Sequence, residues 1–301
     1  LIVLGIYFTN KYKKVILNTA IVSFMFILIG YSSFFMLVIR ANANTPINEN
    51  DPSEAVSMLS YLKREQYGSW PLLYGPYYMA KPSAANDGTP VYVRDEESGK
   101  YIITDKREGT EPVYDDNVMT IFPRMWNGTK SSYVNTYNQY IDKSKMVPVS
   151  MKKADGSTEM VMRPTFMQNL KYFIGYQCNH MYWRYFMWNF VGRQNDIQGH
   201  GELQNGNWVS GIDFIDNARL GRQDNLPKSM TNSGHTEFYF LPLILGLIGL
   251  FYHLKRDAKN SWVTFLLFFM TGLAIVIYLN QTPYQPRERD YAYAGSFYAF
   301  C

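Results

Sequence analysis

Arg287, Glu288, Arg289 and Asp290 follow one another in "QTPYQPRERDYAYAG", the stretch from Gln281 to Gly295, fenced by Pro283 and Pro286 and flanked by apolar segments. Two guanidiniums at the end of an apolar run suit a phosphate, because the planar fork of Arg matches phosphate oxygens. Neighbouring carboxylates can orient such an Arg or act as a base toward a hydroxyl. The two prolines lack amide donors and predict an extended, stiff loop. On an extended backbone Arg287 and Arg289 point to one side, toward one anion, and Glu288 points away toward a neighbouring basic group. Arg40, which closes another apolar run and is followed by Glu49 and Asp51, is a weaker candidate for the same task. The plainer reading of all these charges is a set of interface anchors and ion pairs.

Other chemistries lack their residues. No P-loop or dinucleotide-binding glycine pattern is present, and His180, His200, His235 and His253 are scattered without zinc-ligand spacing. No metal or cofactor is expected. Cys178 and Cys301 lie far apart, so no disulfide framework is suggested. Asn127-Gly128-Thr129 and Asn280-Gln281-Thr282 fit a glycosylation acceptor pattern that is common by chance. A net charge of +4, from 29 basic and 25 acidic residues, is too weak and too dispersed for nucleic acid.

The elements that must position these groups are apolar. Hydrophobic residues make up 47% of the 301-residue chain and charged residues 18%, yet mean hydropathy is -0.22, so long apolar runs alternate with a polar middle. The 25 Tyr suit surfaces that are apolar at one end and wet at the other. Val15 to Ile39 is nearly chargeless and long enough to span a bilayer. Phe238 to Leu254 and Trp262 to Leu279 read as further spans, the segment before Asn10 as the tail of one, and Tyr291 onward as the start of another. The expected fold is a polytopic α-helical membrane protein with a mixed α/β extracytoplasmic region. The chain begins and ends inside apolar runs and reads as a fragment of a longer one. The expected divisions are 1–40, 41–237 and 238–301, with an outer loop at 280–290. The short basic loops "NKYKK" (Asn10 to Lys14) and "HLKRDAKN" (His253 to Asn260) agree in placing 41–237 and the Gln281 loop outside.

In the outer region, Asp51 or Ser53 can cap a helix carrying Val56, Leu59 and Leu62 and ending near Gly68. "VYVRDEESGKYIIT" reads as a hairpin about Ser98-Gly99, and "PLLYGPYYMAKPSAANDG" as loop. From Phe166 to Arg193, the residues Met167, Leu170, Ile174, Cys178, Met181, Tyr185 and Trp188 recur at spacings of three and four, one apolar helix face. The other side is partly polar, with Lys171, Asn179 and Arg184. This helix lies either along the outer membrane surface or in the core of the outer domain.

The blocks "RANANTPINENDPSEAVSMLSYLKREQYG", "WRYFMWNFVGRQNDIQGHG" and "NQTPYQPRERDYAYAGSFYAF" closely resemble glycosyltransferase family 117, a bacterial membrane family related to an animal protein O-mannosyltransferase. The resemblance implies a GT-C architecture in the bacterial inner membrane with its active site facing the periplasm. It implies a polyprenyl-phosphate sugar as donor, membrane lipids as surroundings, and Ser or Thr hydroxyls of translocated acceptor proteins as targets. The acidic catalytic residue of such enzymes is expected upstream of Leu1, so no catalytic residue is assigned within the chain. Arg287, Glu288, Arg289 and Asp290 carry over as part of the donor site. A transporter or flippase of a lipid-linked sugar would share the phosphate-binding Arg but should carry polar residues inside its spans. A structural subunit docking partner proteins through the outer region is the third reading.

Overall fold

A computed structural model describes the backbone of the whole chain except residues 44, 49, 66, 67, 96, 223–225, 229 and 231, so Glu49 lies outside the described residues. The chain forms two compact units, residues 1–69 with 87–110, and residues 70–86 with 111–301.

In the first unit α1 (Ile2–Lys11) and α2 (Val15–Asn42) form a helical hairpin. Its turn is held by the Lys14 amide donating to the Thr9 carbonyl at 2.9 Å and the Thr9 hydroxyl donating to Asn18 Oδ1 at 3.2 Å. Helix α3 (Ala55–Lys63) starts at Glu54, later than the caps expected at Asp51 or Ser53. The Glu54 amide donates to Ser57 Oγ at 3.2 Å, which satisfies the helix entry from a serine one turn inside. Arg64, in the left-handed region at φ 60°, ends the helix before Gly68. Strands β2 (Ala84–Arg94) and β3 (Tyr101–Val113) pair as the expected hairpin, of which residues 87–110 belong to this unit. Arg94 donates to Glu54 Oε1 at 2.9 Å.

In the second unit β1 (Tyr74–Pro76), inside the stretch read as loop, pairs antiparallel with β4 (Met119–Ile121), Tyr74 opposite Ile121. Helix α4 (Ser131–Asn138) precedes a second hairpin, β5 (Val147–Lys152) with β6 (Thr158–Arg163). The long helix expected from Phe166 to Arg193 is three pieces. They are α5 (Phe166–Tyr172), a π-helical segment (Phe173–Trp183) and α6 (Arg184–Phe190). The wide turns of the π segment rotate the faces against each other. Met167 and Ile174 are therefore exposed, whereas Met181, Tyr185 and Trp188, from the same expected stripe, are buried. The second half of the segment is core, and the first half buries Gln168, Asn169, Tyr172 and Tyr176 while Met167 and Ile174 face outward.

The remaining elements are β7 (Gly192–Arg193), α7 (Asp213–Leu220), β8 (Thr236–Glu237), α8 (Leu241–Arg256), α9 (Ala258–Met270), α10 (Leu273–Leu279) and α11 (Ala294–Phe300). Tyr182, Tyr185, Phe186, Phe190, Val276, Tyr293 and Phe297 form one aromatic core beneath α9 to α11, and Met125, Tyr137, Tyr172, Tyr176 and Met181 a second. Between α9 and α10, a Cβ on Gly272 would stand 2.5 Å from Ser296 Oγ and 2.7 Å from the Tyr182 hydroxyl, so the bare backbone lets these two close their 2.7 Å hydrogen bond.

The expectation of a polytopic membrane protein fails on length. Among the described residues two helical stretches, Val15–Asn42 and Ala258–Leu279, are long and apolar enough to cross a bilayer, with mean hydropathy 2.2 and 2.3. The span expected over Phe238 to Leu254 shrinks because Tyr239 and Phe240 sit at positive φ and start the helix late. Its 16 residues reach roughly 24 Å against a hydrocarbon layer of about 30 Å. The segment from Asp290 is a 3₁₀ turn followed by α11, which packs on α9 with Ser296 and Phe297 buried.

Candidate functional site

Glu288 is the half-buried centre of the "PRERD" block. Its carboxylate and the Arg184 guanidinium form a two-pronged ion pair, Nη2 to Oε2 at 2.7 Å and Nη1 to Oε1 at 3.1 Å, with side chains 6% and 14% exposed for Arg184 and Glu288. The Tyr185 hydroxyl also donates to Oε2, and the Gly199 amide donates to Oε1 at 2.9 Å. Burial pushes the Glu288 carboxyl up. Hydrogen bonds and charge from Arg184, with the donors on Tyr185 and Gly199, outweigh it and hold the group below its ordinary value. Arg184 also donates to the Gly206 carbonyl at 2.7 Å and the His180 carbonyl at 3.0 Å. The pair thus fastens the Gln281 loop to the 199–206 segment and to α6.

The loop around it bends at 283–284 and 286–287 and is not extended. Tyr284 has φ 55°, and Arg289 lies at φ -115°, ψ 20°. Its order comes from side-chain amides more than from proline. Gln198 donates to the Gln285 carbonyl at 2.7 Å, and Gln177 to the Gln281 carbonyl at 3.0 Å. Arg287 and Arg289 still converge, on Tyr291. The Arg287 guanidinium carbon is 5.3 Å from its ring centre, and Arg289 Nη1 donates to its hydroxyl at 3.3 Å. Asp290 opens the 3₁₀ turn that follows. Arg40 belongs to the first unit, exposed in the last turn of α2.

Beside the Glu288–Arg184 pair lies a polar cavity of about 260 Å³. The π segment lines it with Gly175, Tyr176, Asn179 and His180, and α6 continues with Arg184. Tyr140, Trp208 and Tyr284 add rings, and Gln139, Asn207 and Arg219 add polar ends. Gly175 makes room for one of those rings: a Cβ there would stand 2.6 Å from Tyr140 Cε1. Tyr176 stacks on His180 with centroids 5.1 Å apart. Burial, then the Arg184 charge, lowers the His180 pKa to about 3, so its imidazole is neutral at ordinary pH and a poor base. The Arg219 guanidinium lies 3.4 Å from the Trp208 ring centre. Buried Asp216 accepts from the Ser210 and Gly211 amides at 2.8–3.0 Å and so fixes the turn after Trp208. Among the described residues no carboxylate lines the cavity, but His200 does, its ring 5.0 Å from that of Tyr284. A larger hollow of about 570 Å³ in the first unit, lined by Asp51, Glu54, Tyr92 and Arg94, is open and its Arg94–Glu54 pair is mostly exposed, so it lacks comparable fixed groups.

Arg287, Glu288, Arg289 and Asp290 are absent from the lining, but their neighbour Tyr284 and their partner Arg184 are in it. The aromatic and amide lining was not singled out from the sequence, except Asn179 and Arg184 on the polar side of the Phe166 helix. The spacing of four in Tyr176, His180 and Arg184 is the signal that could have found more of it. Among the described residues no three His, Cys, Asp or Glu are grouped to hold a metal. Asn280 is buried with both amide hydrogens bonded, so the second glycosylation tripeptide is no acceptor.

Residues 68–174 match the model of a family of unknown function, DUF8416. The matched stretch includes Thr136, Gln139 and Tyr140 of the cavity and ends just before Gly175. No curated protein matches the chain, and no solved structure does.

Proposed function

We propose that the chain carries the donor-binding part of a membrane-attached glycosyltransferase, one that moves a sugar from a polyprenyl phosphate to Ser or Thr hydroxyls of translocated proteins. The observation that carries this reading is the 260 Å³ cavity with rings on its walls and amides between them. A sugar ring has apolar C–H faces and a rim of hydroxyls. The faces suit Tyr140, Tyr176, Tyr284 and Trp208, and the rim suits Gln139, Asn179 and Asn207, whose amides both donate and accept. The volume lies just below the usual range for small-molecule sites, about 300–1,000 Å³, as befits one small sugar. Arg184 is committed to Glu288 and holds the wall in place. Arg219 is held on the Trp208 ring and carbonyl. Arg287 and Arg289, outside the lining but following the lining residue Tyr284, are placed to meet the lipid phosphate and the charge growing on it as the sugar departs. No carboxylate of the described lining serves as the base that activates the acceptor hydroxyl. Membrane attachment runs through Val15–Asn42 and Ala258–Leu279, of whose most apolar 18-residue windows 0% and 11% are buried within the protein.

Sugar transfer from a polyprenyl-phosphate mannose, in membranes with matched expression, tests the reading. Arg287→Ala should cut transfer about tenfold or more, the effect of losing one hydrogen bond to a charged group, roughly 1.5–3 kcal/mol, and Asn179→Ala, at an exposed cavity position, about two- to tenfold, the roughly 0.5–1.5 kcal/mol of a bond to a neutral hydroxyl. Arg287→Lys should restore part of it, because a point charge replaces a fork. Unchanged transfer in both Ala variants would reduce the block to an anchor and the cavity to a packing gap.

A further inference from the structure

Helix α10 ends in carbonyls that no later turn of helix satisfies, and side chains from two distant segments close them. Trp70 Nε1 donates to the Tyr278 carbonyl at 2.8 Å, Arg124 Nη1 to the Ile277 carbonyl at 2.8 Å, and Trp126 Nε1 to the Asn280 carbonyl at 3.3 Å. Asn280 Nδ2 returns two bonds, to the Pro71 and Pro123 carbonyls, both at 2.8 Å. The segments 70–74 and 121–126 are thereby fixed at the level of the helix end, and they are tied to each other by the Phe122 amide donating to the Leu73 carbonyl at 2.6 Å. What they turn outward is apolar. Leu73 is 77% exposed, and Tyr74 and Ile121, directly opposite on one face of the β1/β4 ribbon, are 54% and 64% exposed. Tyr278, beside Trp70 at 6.4 Å between rings, is 52% exposed.

We propose that this ribbon, with Trp70 and Tyr278, is a collar that lies in the lipid headgroup layer and dips Leu73 and Ile121 into the acyl boundary. The partner is a bilayer surface because the collar is hydrogen-bonded to the end of a stretch apolar enough to cross one. Trp and Tyr beside exposed aliphatic residues are also the composition of a membrane interface. The proposal rests on the reading of Ala258–Leu279 as membrane-embedded. A soluble-side cover, such as a second copy or a partner protein, would have no reason to sit at that level.

Single cysteines at Leu73, Ile121, Leu266 on α9 and Asp155 in the β5–β6 turn, in a chain carrying Cys178→Ala and Cys301→Ala, would bear an environment-sensitive fluorophore. The protein would be reconstituted in phosphatidylethanolamine–phosphatidylglycerol nanodiscs. Labels at Leu73 and Ile121 should lose emission to lipids brominated near the headgroup end of the acyl chain and resist aqueous iodide, whereas the label at Asp155 should do the reverse. Iodide quenching at Leu73 and Ile121 with bromine quenching retained at Leu266 would overturn the collar and leave the helix embedded. Protection of both collar sites from both quenchers would assign the patch to a protein partner and overturn it as well. Iodide quenching at all four sites would overturn the embedded helix itself.

Discussion

Glu288→Gln lowers the stability of the second unit by about 3–5 kcal/mol, the cost of leaving one member of a buried ion pair without its counter-charge. The Arg184 guanidinium remains packed against Tyr185 and Trp188, 4.5 and 4.8 Å from their ring centres, with its side chain 6% exposed. Gln also has one oxygen to offer where Glu288 uses two. Replacing both partners, Arg184→Met with Glu288→Leu, should recover most of the loss, because an apolar pair of similar volume carries no stranded charge. The pH dependence has a definite sign. The folded carboxyl titrates below its unfolded value, so its contribution is fully present above the ordinary carboxylate pKa, about 4.3. It is lost as pH falls through the lowered folded value. Denaturant unfolding of the wild type and both variants in matched detergent, at neutral and acidic pH, measures all three effects. A Glu288→Gln chain as stable as the wild type would show that the pair carries little.

The second large effect is at Asn280. Its side chain donates to Pro71 and Pro123 and accepts from Gln177 Nε2 at 3.1 Å, all at a position 1% exposed with φ 41°. Asn280→Leu strands the Pro71 and Pro123 carbonyls, at about 1–3 kcal/mol for each that stays buried, and places a branched residue in the left-handed region that Asn tolerates. A loss of about 3 kcal/mol or more is expected, with hydrogen exchange faster in α10 and in the 70–74 segment together. Exchange unchanged in the 70–74 segment would mean that Asn280 does not couple the two.

Both effects show where sequence reading stops. That Glu288 should seek a basic partner is legible in a charged residue fenced by apolar segments, but nothing nearby names Arg184, which is 104 positions away. Asn280 reads as one member of a tripeptide, and its role appears once Pro71 and Pro123 are brought to it from about 150 to 200 positions away in the chain. Local signals fared better. The β2/β3 hairpin follows from alternation around Ser98-Gly99, and the apolarity of Val15–Asn42 and Ala258–Leu279 follows from composition. Periodicity failed at Phe173–Trp183 because the stripe was counted at 3.6 residues per turn across a segment whose turns are wider. Span counting failed at Tyr239 and Phe240, where positive φ shortens α8, a backbone choice that two aromatic residues do not announce.

The central claim is that the cavity beside the Glu288–Arg184 pair receives the sugar of a lipid phosphate. Photo-crosslinking tests it most directly, with a polyprenyl-phosphate mannose carrying a diazirine on the sugar and the wild-type protein in native membranes. Crosslinks should fall on the Tyr176–His180 segment and on Tyr284, and should disappear when excess unlabelled donor competes. Crosslinks confined to Val15–Asn42 and α9, or insensitive to that competition, would contradict it.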